Sequence, residues 1–412
     1  MKIMKIKYTI LFAILYCCFM GCTSNNKKDT HFTDKQIASL NLDSTSILTT
    51  NTDSIETINL NPFLKKQEFL FTHMIDKVKL LPLETTDESL MDDINKILIT
   101  ESYVYIIDYY KGGSVLIFSN EGKFIRRIYQ GESPQEIYNP SDITFDDNKQ
   151  ELIVYNKYYL SFFTANGQFI KRKRVPLRAS EVTIIPNGYL FKAGNGQGNQ
   201  HFGFSQEYLF FVTDYSFKLK SVGLPYSLSN ETCYKNFIGN LHEGKQKVSL
   251  TTSYTDTIYE YDYQTNKLKA KYALDISDKG LPKNRLGRTW KELQKALRDN
   301  DYFLYNGAYL ETQRHELFYI ENWYIKLNSV IYRDKKSGNM KGGTNMLYNT
   351  GIIPPINLPF ASHGDYFISL YFPQNKWNIS DNPNFTEEDK YKISKLKEED
   401  NPVLVFFSLK DF

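Results

Sequence analysis

Over most of the chain, short runs of apolar residues alternate with polar positions, the period of a half-buried β-strand. One unit recurs: an apolar strand, a turn, a second strand, a Gly or Asn turn, then a strand ending in basic residues. It is read at 104–108, 114–118 and 122–128, and again at 151–155, 160–163 and 167–171. Looser copies lie at 188–191, 208–212 and 217–220, and at 248–250, 257–261 and 267–271. Equivalent positions are evenly spaced: Phe124 to Phe169 is 45 residues, Phe169 to Leu219 is 50 and Leu219 to Leu268 is 49. Strand-rich repeats of about this length match the four-stranded blades of a β-propeller. Asn166-Gly167 and Asn187-Gly188 supply the positive φ angles that tight hairpins need.

The pattern continues into a fifth blade, at 317–320 and 330–332 with a turn at 336–338, and a sixth, at 366–371 and 403–409. The strand at 77–83 is expected to join the last blade, because an unclosed ring leaves an open, aggregation-prone edge. The predicted fold class is therefore all-β: a six-bladed β-propeller over 63–412, with five or seven blades as alternatives. Two stretches break the strand pattern. Thr289 and Glu292 form a capping box, and Trp290, Leu293 and Leu297 then share one face, which predicts a helix over 290–299. Thr386 opens a second helix expected to run to about 397, before Pro402. The plainer reading makes both of them covers on a propeller face or blade edge; the functional reading makes them lids. Aromatic residues form 15% of the chain, which fits half-buried pleated surfaces better than a cofactor cage.

The N-terminus is organised differently. Residues 1–7 carry Lys2, Lys5 and Lys7 and no acid, 8–19 is an apolar run of 12 residues, and Met20, Gly21 and Cys22 follow. This is the layout of a secretory signal peptide over 1–21. An uncleaved anchor is the competing reading, but spanning a bilayer takes about 20 apolar residues. Phe19-Met20-Gly21-Cys22 resembles a bacterial lipobox, which implies cleavage before Cys22 and lipid attachment to it. Cys17 and Cys18 would be discarded, so the body keeps Cys233 alone and no intramolecular disulfide can form. Cys233 itself reads as a small buried hydrophobe. Residues 22–62 are rich in Ser, Thr, Asn, Asp and Lys and predict a flexible tether, with a root-mean-square reach of roughly 35 Å.

A resemblance rests on several stretches of the body. Residues 81–90 (LPLETTDESL), the blade that follows, 131–136 (GESPQE), 141–145 (SDITF) and 401–407 (NPVLVFF) look like the six-bladed β-propeller lipoproteins of Bacteroidetes-type bacteria. More distantly the chain is similar to NHL-type propellers. The resemblance implies the fold and the anchoring but no reaction. Thr23 after the cysteine resembles lipoproteins passed to the outer membrane, and Asp29 as the lone acid of 23–30 is a poor match to a surface-display signal.

No catalytic or metal-binding set stands out. The six histidines, His31, His73, His201, His242, His315 and His363, include no pair at metal-ligand spacing. His242-Glu243 and His315-Glu316 are neighbours that point to opposite strand faces, and they could meet other residues only at a propeller axis. His363 and Asp365 would share one strand face. Residues 194–198 (GNGQG) mimic a phosphate loop, but no helix follows to hold a phosphate. A net charge of +3, with only short basic clusters at 171–174 and 333–336, argues against nucleic acid. Lysine and arginine at 171–174 suit an exposed edge strand and discourage edge-to-edge pairing.

Cys22 is thus the one residue with an assigned chemical role, as a lipid attachment site. No cofactor is expected. The functional expectation is a non-enzymatic scaffold held to a membrane by its N-terminal lipid, binding a protein or glycan ligand. The rivals are a hydrolase or lyase with residues converging at the central channel, and an accessory subunit of an outer-membrane transport or adhesion assembly.

Overall fold

The computed structural model describes residues 31–412 apart from 66–67, 93, 110–112, 132, 134–135, 157, 194–197, 205–206, 226–238, 240, 244–246, 253–254, 283–289, 323–326, 348–357 and 376–384. Its strands form six antiparallel four-stranded blades. From the inner strand outward, blade 1 is Ile94–Ile99, Tyr103–Asp108, Ser114–Ser119 and Phe124–Ile128. Blade 2 is Pro140–Asp146, Glu151–Asn156, Tyr159–Thr164 and Phe169–Arg174. Blade 3 is Glu181–Ile185, Gly188–Lys192, Tyr208–Thr213 and Leu219–Pro225, and blade 4 is Leu241–Glu243, Lys247–Thr251, Thr257–Asp262 and Lys267–Asp275. Blade 5 is Leu304–Glu311, His315–Asn322, Leu327–Asp334 and Met340–Gly343. Blade 6 joins the two ends of the propeller: Ala361–His363, Tyr366–Tyr371 and Val403–Leu409 are completed by Ile75–Pro82 as the outer strand.

Blade 6 closes the ring as the sequence predicts, with Val403 opposite Pro82 and Leu409 opposite Ile75. A latch reinforces the closure. The Asn401 side-chain amide donates to the carbonyls of Glu84 and Ser89 at 2.9 and 3.0 Å, and its oxygen accepts from the Met91 N–H at 3.1 Å. Two of the stretches that carry the family resemblance, 81–90 and 401–407, therefore meet in one hydrogen-bond network. Their shared task is to tie the chain ends together.

Apolar packing follows the same circular order. Each pair of neighbouring blades encloses its own buried cluster, from Tyr105, Phe145 and Phe163 between blades 1 and 2 to Leu81, Phe118 and Phe406 between blades 6 and 1. Side chains on both faces of each middle strand are buried, which is why those strands read as near-continuous apolar runs. Each fully buried aromatic contributes about 1.5–3 kcal/mol of transfer free energy. Tight turns complete the hairpins: Gly167 adopts φ +83°, and at Gly122, also at +83°, a Cβ would run into the Pro82 carbonyl of the neighbouring blade.

The expectation of a flexible tether through residue 62 is corrected from Thr33 onward. Thr33 caps a short helix, Asp34–Ser39. Beyond it the chain runs along the outside of the ring. Ser46–Ile47 pairs in parallel with the outer strand of blade 3, and Thr50–Asn51 and Glu56–Asn59 with that of blade 4. Glu68–Leu70 then pairs with Asn345–Leu347, just beyond blade 5. The composition is polar because most of this strap is exposed; it is held by a few widely spaced apolar pegs, Phe32, Leu40, Ile58, Leu60 and Leu64, and by edge pairing. Pegs so far apart make no period that a window can detect.

Both predicted helices are present. Trp290–Asn300 packs Leu297 against Leu281, Tyr302 and Leu304. Glu387–Ser394 is capped by a Thr386–Asp389 box, ends before 397, and lies against the outer strand of blade 6 with Ile393 in the core between blades 5 and 6. Among the described residues, no helix is long and apolar enough to cross a membrane.

Candidate functional site

Four successive inner strands each present a titratable side chain within their first three positions: Lys96, Asp142, Glu181 and His242. Inner strands run the same way through a propeller, so equivalent positions gather at one mouth of the central channel. The second strands end at the same mouth, where Ile94 lies opposite Asp108, Pro140 opposite Asn156 and Glu181 opposite Lys192.

These side chains link blade to blade. The Lys96 ammonium pairs with Asp142 Oδ1. Asp142 Oδ2 accepts the Val182 N–H of blade 3 at 2.7 Å, and Glu181 Oε2 accepts the Leu241 N–H of blade 4 at 3.1 Å. Lys192 stands 3.7 Å from Glu181 Oε1. His242 meets the Tyr309 ring of blade 5 edge-on, with centroids 5.6 Å apart.

Burial sets the protonation here. It pushes Asp142 up to about 6 against the pull of Lys96. It pushes His242 down to about 4, so the imidazole is neutral at pH 7. The fields of Glu181, Glu311, Lys96 and Lys271 also act on His242, so charges from blades 1, 3, 4 and 5 face one ring. His242 keeps part of its surface exposed, but its Nε2 is shielded and has no hydrogen-bond partner among the described residues. A neutral imidazole with a vacant nitrogen, the Glu181 carboxylate and the Lys96 ammonium can together donate to and accept from a polar ligand, while Asp142, buried and bonded on both oxygens, holds the neighbouring strands in place.

Blades 4 and 5 share a second ionic cluster, at the hairpin end of the blade 5 inner strand. Lys271 contacts Glu311 at 3.0 Å and Glu316 at 3.2 Å, and Arg333 contacts Glu316 at 2.9 Å. Tyr272 and Tyr309 both donate to Glu316 at 2.8 Å, and Ser249 donates to Glu311 at 2.8 Å. Against its own burial, Glu311 is pulled down to about 2 by Lys271 and Lys335. At the other end of the same strand pair, Glu321 accepts from Asn306 at 2.8 Å, and burial pushes it up to about 7. Glu316 is fully buried and already bonded on both oxygens, so this cluster reads as structural.

The other sequence candidates are scattered. His31 is exposed and stacks on Tyr158; His73 is exposed on the rim; His201 bonds to the Pro176 carbonyl at 3.0 Å. His363 is exposed beside a turn at Gly364, and Asp365 lies in that turn rather than on a shared strand face. His315, Asp334 and Asp411 approach one another closely enough to suggest a metal site. Their donors are committed elsewhere: His315 Nε2 donates to the Lys410 carbonyl at 3.1 Å, Asp334 Oδ1 accepts two backbone N–H groups, and Asp411 pairs with Arg314. Residues 171–174 form the outer strand of blade 2, as expected. Cys22, Cys233 and residues 194–197 lie outside the described residues.

The family model described as Domain of unknown function (DUF4934) matches residues 55–408. The chain belongs to this family. A solved structure of a Bacteroides fragilis protein, described as a candidate exported protein, aligns with a TM-score of 0.69 at 17% identity, covering 87% of this chain and 100% of that one. At that identity the likeness establishes the fold, a six-bladed propeller. The WD40 domain of Neurospora crassa Pan2 (TM-score 0.39, 10% identity, 77% of this chain and 76% of that one) and BamB from Moraxella catarrhalis (0.35, 10%, 71% and 82%) align too loosely to carry an argument. No curated protein matches the chain.

The sequence reading missed Lys96, Asp142 and Glu181 because it missed their strands. Inner strands such as 94–99 (INKILI) and 181–185 (EVTII) break apolar alternation with charge. The same polarity that hid the strands marks the site. The stretch 141–145, already notable for its family resemblance, is an inner strand and contains Asp142.

Proposed function

We propose that this protein is an exported lipoprotein, anchored to the outer membrane through Cys22, whose propeller binds a polar ligand at the channel mouth ringed by Lys96, Asp142, Glu181 and His242. The observation that carries the reading is that Lys96 of blade 1 and Glu181 of blade 3 both act on the neutral His242 imidazole of blade 4, whose Nε2 is free among the described residues. Charged acceptors and donors side by side suit a hydroxyl-rich glycan or a peptide backbone better than an apolar molecule. Supporting the anchoring are the signal-peptide layout before Cys22 and the likeness to a protein described as exported.

A second reading is favoured by the same imidazole. Beside Glu181, a neutral His242 has the protonation state of a general base, so the site would also suit hydrolysis or elimination on a bound glycan or peptide. The test is titration of the purified protein with oligosaccharide and peptide panels, followed by heat of binding and by product analysis. Binding without turnover, lost in Lys96→Ala and Glu181→Gln, supports the scaffold. Turnover abolished by His242→Ala sinks it in favour of the enzyme. A role as an accessory subunit of a transport or adhesion assembly would instead show as a stable co-purifying partner.

A further inference from the structure

Outer strands of a propeller expose one row of backbone N–H and C=O groups, and this molecule covers most of its own. The strap pairs along blades 3 and 4 and just past blade 5, and the helix Glu387–Ser394 lies on the outer strand of blade 6. Blade 1 is partly attended: Phe124 N–H donates to the Glu84 carboxylate at 2.8 Å. On blade 2, among the described residues, Phe169–Arg174 has a strand partner on one side alone and neither strap strand nor helix along its edge, which the chain meets only where Arg174 bonds the His31 carbonyl.

That uncovered strand is also the most basic. It carries Lys171, Arg172, Lys173 and Arg174 and no acid, whereas the covered strand Leu219–Pro225 carries Lys220 alone. Lys171, Arg174 and Ile170 are exposed, and Arg126 of blade 1 extends the positive rim past Gly167. Basic side chains keep such an edge from pairing with a like-charged strand. They do not repel an acidic one.

The molecule itself shows what kind of segment its edges take. Residues 41–60, which supply the strap over blades 3 and 4, are Ser-, Thr- and Asn-rich, contain Asp43, Asp53 and Glu56, and have no Lys, Arg or His. Glu56–Asn59 pairs with the outer strand of blade 4, and Glu84 caps the edge of blade 1. In both places an acidic segment meets an outer strand. We infer that the outer edge of blade 2 is a docking site for an extended, acidic, Ser/Thr-rich segment of a partner polypeptide, which adds as a further strand on Phe169–Arg174. Backbone pairing would supply affinity, and the exposed Lys171 and Arg174 would select for acid, Arg172 and Lys173 being bonded to the Glu136 and Tyr215 carbonyls. Residues 23–30 of the chain are a poor occupant, with Lys27 and Lys28 against a single Asp29. A lipid surface could match the charge but not the backbone groups.

The probe is a fluorescent peptide with the sequence of residues 41–60, titrated into the full-length chain, alongside a control with Asp43, Asp53 and Glu56 changed to Lys. Binding of the acidic peptide only, with slowed amide exchange at 169–174 and about tenfold weakening in a Lys171→Glu/Arg174→Glu variant of unchanged melting temperature, is the expected result. No binding, or equal binding of both peptides, overturns the inference. So does protection confined to the outer strands of blades 3 and 4, which would mean that the peptide has only displaced the native strap. Protection of 169–174 by anionic phosphatidylglycerol vesicles but not by the peptide also overturns it, and reassigns the edge to a membrane surface.

Discussion

Asp142 Oδ2 receives the backbone N–H of Val182 at 2.7 Å, so a carboxylate of blade 2 is bonded directly to the inner strand of blade 3. Its other oxygen takes the Lys96 ammonium and the Ile143 N–H. Asp142 is 1% exposed, so removing its side chain strands both a buried N–H and an ammonium. Asp142→Ala should cost about 3–5 kcal/mol. Asp142→Asn keeps an acceptor for Val182 and leaves the partly exposed Lys96 to water, so it should cost only about 1–2 kcal/mol. Midpoints of urea unfolding at pH 7 would measure both; equal losses would mean that the carboxylate charge, not the hydrogen bond, carries the contact.

Two groups near the channel mouth give stability opposite pH dependences. The folded protein holds His242 at about 4, below its ordinary 6.5. Its contribution is full above pH 6.5 and is lost as pH falls toward 4, because the buried imidazole resists charging. Glu321 is held at about 7, above its ordinary 4.5. Its contribution is full below pH 4.5 and is lost as pH rises through 7. Each shift corresponds to up to about 3 kcal/mol. His242→Gln should flatten the acid limb of a plot of melting temperature against pH, and Glu321→Gln the neutral limb. A limb that keeps its slope in the matching variant would assign it to another group.

The sequence made the middle and outer strands legible because both faces of a blade are packed: 104–107 and 152–155 are apolar throughout, and 122–128 and 167–171 carry the basic residues of a rim. The ring closure by the strand at 77–83 followed from the need to eliminate an edge. What stayed hidden was set by the channel and the rim. Lys96, Asp142 and Glu181 occupy strands whose polarity defeats an alternation test, and they come from blades 1, 2 and 3, so no local spacing links them. Phe32, Leu40 and Ile58 are too sparse to announce a strap. His242 was visible as a candidate, but its surroundings come from blades 1, 3, 4 and 5.

Glu316 anchors the interface of blades 4 and 5 and is 0% exposed. Arg333, Lys271, Tyr272 and Tyr309 all converge on it. Glu316→Ala would leave two buried cations facing the remaining Glu311, with a loss of about 3–5 kcal/mol. Glu56, by contrast, is half exposed at the far end of the same chain of contacts. Glu56→Gln should therefore cost less than about 1 kcal/mol. It should still speed amide exchange along Glu56–Asn59 and its partner Tyr272–Asp275, since the strap loses its ionic clasp there. Exchange unchanged in Glu56→Gln would show that Ile58 and Leu60 hold the strap alone.

The strap also changes what Cys22 can do. A leash ending at 62 would let the propeller stand roughly 35 Å off a membrane. With the chain fixed to the rim from Phe32 and with Arg174 bonded to the His31 carbonyl, the interval from Cys22 to His31 spans at most about 30 Å fully extended, and about half that as a random coil. On the proposed lipidation of Cys22, the protein should therefore ride close to the lipid with the blade 2–blade 3 side of its rim nearest. Cys22→Ala should abolish labelling by a clickable palmitate and move the protein from the membrane to the soluble fraction. In the lipidated wild type, a fluorophore on the rim near Arg174 should be quenched by labelled lipid several-fold more strongly than one on blade 5. Equal quenching would mean that residues 31–62 detach on the membrane, and continued labelling of Cys22→Ala would remove the anchor from this cysteine.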